Sequence, residues 1–162
     1  MHSLPVVNFE KAAPLSFCWF KSEEGQSWIS ALRAKLLKHQ LGPSAAASII
    51  GAVHATVARL EMGELGNTRA IRNIKMNSPR PMHELRWDVL SERPLHLRLY
   101  NATPAELTSV AVGLCFRVKK IMDSSDETRL SQNADIADAI RILNSALAKN
   151  FSDCLDMAPS HV

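Results

Sequence analysis

ELRWDV at residues 84–89, LHLRLY at 95–100 and VAVGLCFRVK at 110–119 are the parts of the sequence that predict a β-sheet. In each of them, apolar side chains alternate with polar or small ones, which is the period of a half-buried β-strand. Residues 91–94 (SERP) predict a turn between the first two stretches, and residues 101–108 form a second short connection. Short links between successive strands favour an antiparallel meander with one face on the core and the other open to solvent.

Helical spacing of apolar residues flanks the predicted strands on both sides. Residues 25–41 predict a first helix, which ends before a Gly-Pro pair, and Ser44 is the predicted N-cap of a second helix ending at Gly63. Residues 135–149 predict a C-terminal helix, with Asn133 or Asp135 as its N-cap. The order helix, helix, strands, helix indicates an α+β domain. In it, two N-terminal helices and a C-terminal helix pack on one face of a small antiparallel sheet.

The predicted boundaries place a single domain between two short segments. Residues 1–24 are expected to form an irregular N-terminal arm, residues 25–150 the α+β domain and residues 151–162 a C-terminal tail. The arm contains an aromatic cluster, FCWF at 17–20. Folding of this cluster back onto the helices is favoured over docking of a partner protein.

Composition indicates a compact protein of a reducing compartment. The 162 residues, 46% hydrophobic and 22% charged, have the length and makeup of one globular domain. No apolar run approaches the length that spans a membrane, and the first ten residues lack the pattern of a secretory signal. Three widely spaced cysteines favour free thiols over a disulfide framework. The expected location is therefore the cytoplasm.

Basic charge is concentrated in the middle of the chain. The formal net charge is only +3, but residues 69–120 carry ten of the 19 Lys and Arg residues and four of the 16 Asp and Glu residues. A basic segment inside a nearly neutral protein is a weak indication of a polyanionic partner such as nucleic acid.

One set of polar side chains shares the sheet face that the leucines and valines leave open, because side chains on a strand alternate between its faces. The set comprises Glu84, Arg86, Asp88, His96, Arg98, Tyr100, Arg117 and Lys119. Cutting RNA through its 2′-hydroxyl requires a proton acceptor, cations that neutralise the reacting phosphate and an acid for the departing oxygen. Arginine binds phosphate through two hydrogen bonds, and tyrosine or histidine can stack on a base. The face therefore has the residue types of a metal-independent ribonuclease.

A purely structural interpretation competes with this one. The same residues can be the solvated side of a sheet, with Glu84 and Asp88 pairing with Arg86 and Arg98 across strands. The sequence has no Cys-x-x-Cys or closely spaced histidine pair for zinc and no glycine-rich phosphate loop, so neither a metal nor a cofactor is expected. Cys115 is expected to be a packed thiol and not a nucleophile.

Four short motifs occur in a fixed order: HELRW at 83–87, LRLY at 97–100, GLCFRVKK at 113–120 and DIADA at 135–139. Taken together they resemble the core of HigB-type toxins, of the HigB/RelE kind found in bacterial and phage toxin–antitoxin systems. The resemblance covers residues 25–147. It implies a RelE-like fold, ribosome-dependent cleavage of mRNA and neutralisation by a cognate antitoxin protein.

The resemblance, carried over position by position, implies which residues contact or cut RNA. Further candidates come from the polar side chains that share the predicted sheet face. The predicted catalytic residues are Arg86, Arg98, Tyr100 and Lys119. The predicted RNA-binding residues are His96, Arg117 and Lys120.

The leading functional hypothesis is thus a toxin endoribonuclease that binds mRNA and the ribosome. The alternative is a catalytically inactive protein-binding module on the same scaffold, such as a phage or defence-system component. A DNA-binding regulator is disfavoured, because the first two predicted helices lack a basic recognition face. Growth arrest on expression discriminates the first two hypotheses, since only an active toxin should stop growth.

Overall fold

A computed structural model describes residues 16–21, 27–63, 71–89, 95–119 and 124–156 of the chain. Within these residues it contains three α-helices and six β-strands. In chain order they are β1 (Ser16–Phe20), α1 (Trp28–Lys38), α2 (Pro43–Glu61), β2 (Ile71–Asn73), β3 (Met82–Val89), β4 (Leu95–Ala102), β5 (Val110–Lys119), α3 (Ser125–Ala148) and β6 (Cys154–Asp156). The chain therefore has the mixed α+β class that its sequence predicts.

The strands form one sheet in the order β2-β3-β4-β5-β1-β6. β3, β4 and β5 are antiparallel neighbours in sequence order, which confirms the predicted meander. Tyr100 pairs with Cys115 and Asn101 with Gly113, so Leu114 is an extra residue in β5. This bulge lets two consecutive residues, Leu114 and Cys115, pack in the same core. The predicted turn at residues 91–94 lies outside the described residues.

The expectation of an irregular arm over residues 1–24 is wrong for Ser16–Phe20, which forms the interior strand β1. β1 lies between β5 and β6, parallel to the first and antiparallel to the second. Trp19 enters the core on one face and Phe20 the core on the other. A strand that is buried on both faces lacks the polar alternation by which half-buried strands are recognised. β6 likewise extends the sheet past the predicted domain boundary at residue 150.

The helical hairpin of α1 and α2 is confirmed, with a small correction at its turn. Gly42 is the N-cap of α2, and the predicted cap Ser44 lies inside the helix, because the proline after Gly42 is suited to the first helical turn. α2 is fixed to the sheet at its end, where the backbone N–H of Phe17 donates to Glu61 Oε1 at 2.9 Å.

The expectation that all three helices pack on one face of the sheet is wrong for α3. α1 and α2 cover the face that carries Leu97 and Phe116. α3 covers the opposite face, where its Leu143 shares a core with Val112 and Leu114. The physical reason is that β5 is apolar on both faces over its first half, so each face needs a covering layer. The sheet therefore lies between two layers of helices, and the face predicted to be open is partly buried.

α3 also begins earlier than the predicted start at residue 135. Ser124 Oγ accepts a hydrogen bond from the backbone N–H of Glu127 at 3.1 Å, and the acidic residues Asp126 and Glu127 occupy the first turn. Ser-x-x-Glu is a capping-box pattern, and negative charge is favourable at a helix N-terminus. Among the described residues, no helix is both long and apolar enough to cross a membrane.

Candidate functional site

The polar side chains of β3, β4 and β5 form three rows across the sheet, because the register aligns them in threes. The first row is Asp88, His96 and Lys119, the second row is Arg86, Arg98 and Arg117, and the third row is Glu84, Tyr100 and Cys115. All nine positions lie on the α3 face. The prediction that these residues share one face of the sheet is therefore confirmed.

In the first row a histidine lies between an acidic residue and a basic residue. His96 Nδ1 lies 2.8 Å from Asp88 Oδ1, and the side chain of Asp88 is 63% exposed. This hydrogen bond, first among the causes, holds the pKa of Asp88 below its ordinary value. Lys119 lies directly opposite His96 on β5 and is partly exposed. When Nδ1 carries the proton shared with Asp88, the neutral imidazole has its lone pair on Nε2.

The second row places three arginines side by side, and carboxylates surround them. Arg86 Nε donates to Glu84 Oε1 at 2.6 Å. Arg98 lies between two carboxylates, with Nε 3.8 Å from Glu84 Oε1 and Nη1 3.7 Å from Asp88 Oδ1. These contacts are the ion pairs of the structural interpretation. Burial lowers the pKa of the Arg98 guanidinium, and the charge of Glu84 opposes that shift.

The third arginine of the row is paired with α3. Arg117 Nε lies 3.8 Å from Asp135 Oδ1, and Arg117 Nη2 lies 3.6 Å from Asp138 Oδ2. Each of the two aspartates brings a negative charge onto the basic sheet face. Much of the positive charge that the sequence places on this face is therefore compensated within the protein.

The third row is buried beneath α3. Tyr100 is 1% exposed, and Glu84 and Cys115 are fully buried. Desolvation, followed by the nearby charges of Glu84 and Asp135, raises the pKa of the Tyr100 phenol well above its ordinary value. The phenol therefore stays protonated at neutral pH and is shielded from solvent. Cys115 is the packed thiol that its strand position predicts.

The predicted site residues thus fall into groups of different accessibility. Arg98 is 5% exposed and Tyr100 nearly inaccessible. Arg86, His96 and Lys119 are partly exposed. Arg117 is also partly exposed, although it is ion-paired with α3. Lys120 lies outside the described residues. A catalytic role for each remains a prediction.

Sequence reasoning placed Asp88 on the face as an ion-pair partner but did not assign it a catalytic or RNA-binding role. The signal was present, because a turn predicted at residues 91–94 would bring Asp88 opposite His96, and the register pairs these two residues. A histidine beside a carboxylate is a common arrangement for acid–base chemistry. The pair is therefore the group on this face whose proton-transfer geometry is already formed.

A cleft of about 320 Å³ opens between β2 and the first half of α3. We call it the α3 cleft. Glu84 and Ile136 are its buried lining residues, and three exposed cationic residues surround it: Arg72, Lys75 and Arg129. The remaining lining residues are Asn73, Ile74, Met76, Gln132 and Asn133. The sequence could not predict this cleft, because it depends on where α3 crosses the sheet.

Within residues 16–21, 27–63, 71–89, 95–119 and 124–156, no three His, Cys, Asp or Glu side chains are grouped so as to hold a metal ion. The histidine of the first row has one carboxylate neighbour, Asp88, and on its other side the cation Lys119.

Comparisons of the chain with protein-family models, with curated proteins and with solved structures found no match. The function therefore has to be inferred from the chemistry of the three rows and of the α3 cleft.

Proposed function

We propose that the protein is a toxin endoribonuclease of the HigB/RelE kind, which cuts mRNA on the ribosome by metal-independent attack of the 2′-hydroxyl on the phosphate. The observation that carries the proposal is the His96–Asp88 pair at 2.8 Å, partly exposed and beside Lys119. The resemblance of four short motifs to HigB-type toxins supports the same reaction. A cognate antitoxin protein that covers the first row, and a cytoplasmic location, belong to this proposal.

The roles differ from those carried over by resemblance. His96 Nε2 takes the proton of the attacking 2′-hydroxyl, while Asp88 holds the imidazole through Nδ1 and stabilises the imidazolium that forms. The Lys119 ammonium stabilises the charge on the phosphate and protonates the leaving 5′ oxygen. Arg86, partly exposed, is a second phosphate-binding cation. Buried Arg98 is a positioning residue, because its charge lies between Glu84 and Asp88.

The experiment is a cell-free translation reaction with purified protein, in which mRNA is followed by primer extension. Wild-type protein should cut mRNA only on translating ribosomes. His96→Ala should reduce the cleavage rate by roughly 10²- to 10⁴-fold, the usual contribution of general acid–base catalysis. Arg33→Ala is the matched control, because Arg33 is an exposed cationic residue of α1 on the other side of the sheet.

Two outcomes would contradict the proposal. One is full cleavage by the His96→Ala protein, which would move the reaction away from the first row. The other is intact mRNA with wild-type protein under conditions in which translation proceeds. Growth arrest on expression gives an independent readout, and His96→Ala should relieve it while Arg33→Ala should not.

A second candidate function is a protein-binding module without catalysis. It is favoured by the ion pairs of Arg117 with Asp135 and Asp138, which leave the sheet face less basic than its sequence suggests. On this proposal, wild-type protein leaves mRNA intact and its expression is harmless. An affinity pull-down should then recover the same partner with wild type and with His96→Ala.

A further inference from the structure

Glu84 carries a carboxylate oxygen whose hydrogen-bonding capacity is unused among the described residues. Its Oε1 lies 2.6 Å from both Arg86 Nε and Arg86 Nη2. Its Oε2 is buried and accepts no hydrogen bond from any described residue. Leaving a buried charged acceptor without a donor is costly, so such an atom needs an explanation. Glu84 is also one of the residues that line the α3 cleft.

The surroundings of the α3 cleft have the opposite charge. Arg72, Lys75 and Arg129 are exposed cationic residues among its lining, and they lie on two different elements, the β2 region and α3. Guanidinium and ammonium groups arranged in this way suit a phosphate. At about 320 Å³ the cleft is near the lower limit of ligand pockets, which is a suitable size for one nucleotide and too small for a duplex.

We infer that the α3 cleft binds one nucleotide of single-stranded RNA, with the base edge of guanine against Glu84 and the phosphate among Arg72, Lys75 and Arg129. Guanine presents two adjacent donors, N1–H and the 2-amino group, to a carboxylate oxygen. Adenine and cytosine place a ring-nitrogen acceptor beside their amino group, and uracil flanks its single N–H with two carbonyls. Each of these acceptors would be repelled by the carboxylate. Guanine is therefore the base that this wall selects.

The position of the α3 cleft fits a base-selecting subsite beside the proposed cutting residues. Glu84 and Asp88 lie on the same strand and face, four residues apart, which corresponds to about 13 Å. That distance is about two nucleotide steps of extended RNA. This inference rests on the proposed function, since an RNA substrate would connect the two places. Binding of a free nucleotide nevertheless tests the α3 cleft separately from cleavage.

The experiment measures binding of guanosine 5′-monophosphate and adenosine 5′-monophosphate by isothermal titration calorimetry, with the full chain. Wild type should bind the guanine nucleotide more tightly. Glu84→Gln should weaken that binding by roughly tenfold or more and leave the adenine nucleotide unaffected, because a charge-assisted hydrogen bond is lost. Arg72→Glu combined with Lys75→Glu should weaken both nucleotides equally. Arg33→Glu, a charge change half as large on α1, should alter neither.

The double variant keeps the inference testable if Glu84→Gln fails to fold, because Arg72 and Lys75 are both exposed. Equal affinity of wild type for the two nucleotides, or no binding of either, overturns the guanine assignment. Undiminished binding by the double variant overturns the phosphate position. His96→Ala should bind the guanine nucleotide normally. If wild type binds the guanine nucleotide but cuts no RNA, the inference about the α3 cleft is supported and the proposed function is rejected.

Discussion

Arg98→Ala is the substitution that best separates a role in folding from a role in chemistry. Arg98 is 5% exposed, with Nε 3.8 Å from the fully buried Glu84. Breaking a buried ion pair by removing one partner costs about 3–5 kcal/mol, because a charge is left uncompensated. Glu84 keeps its ion pair with Arg86 at 2.6 Å, so we expect a loss of stability at the lower end of this range, about 3 kcal/mol. The exposed carboxylate of Asp88 adds little to this figure.

The assay is urea unfolding followed by tryptophan fluorescence, together with a thermal melt. A loss of about 3 kcal/mol corresponds to a melting temperature lower by about 6–12 °C in a domain of this size. The double variant Glu84→Gln, Arg98→Met removes both charges. Its loss of unfolding free energy should be smaller than the sum of the losses in Glu84→Gln and Arg98→Met alone. Arg33→Ala should stay within about 0.5 kcal/mol of wild type. If Arg98→Ala keeps wild-type stability but abolishes RNA cleavage, the buried ion-pair reasoning is refuted and Arg98 acts on substrate.

Three further predictions concern acid stability, a helix end and a thiol. Because its hydrogen bond with His96 holds the pKa of Asp88 below the ordinary value of 3.8, Asp88 contributes stability above about pH 4 that is lost as the pH falls through the folded pKa. Asp88→Asn should therefore make the free energy of unfolding fall less steeply as the pH is lowered. An unchanged pH dependence would count against the Asp88–His96 pair. Gln40 follows α1 at φ 61°, so Gln40→Gly should raise the free energy of unfolding by about 0.5–1 kcal/mol, measured as a higher urea midpoint; a lower midpoint would contradict this. The hydrogen bond from Cys18 lowers the pKa of Cys154, so Cys154 should be alkylated more slowly in Cys18→Ala than in wild type; equal rates by peptide mass mapping would contradict this.

The candidate site shows what the alternation of polar and apolar residues can predict and what it cannot. A period of two is a local property, so it correctly put Arg86, Arg98 and Tyr100 on one face of the sheet. Whether that face meets water depends on a helix that lies elsewhere in the chain. α3 packs over Tyr100, Arg98 is only 5% exposed, and the aspartates of α3 pair with Arg117. The residues predicted from their chemistry therefore differ from those that a substrate can reach.

Three features could be predicted from the sequence: the mixed α+β class, the helical hairpin and the antiparallel meander of β3, β4 and β5. These features follow from residues close together in the chain, where apolar spacing and turn residues act directly. The tertiary structure alone decided the rest: β1 beside β5, α3 on the opposite face, and the α3 cleft against Glu84. Each of these brings together residues far apart in sequence. Such contacts are set by which apolar surfaces still need covering once the local elements have formed.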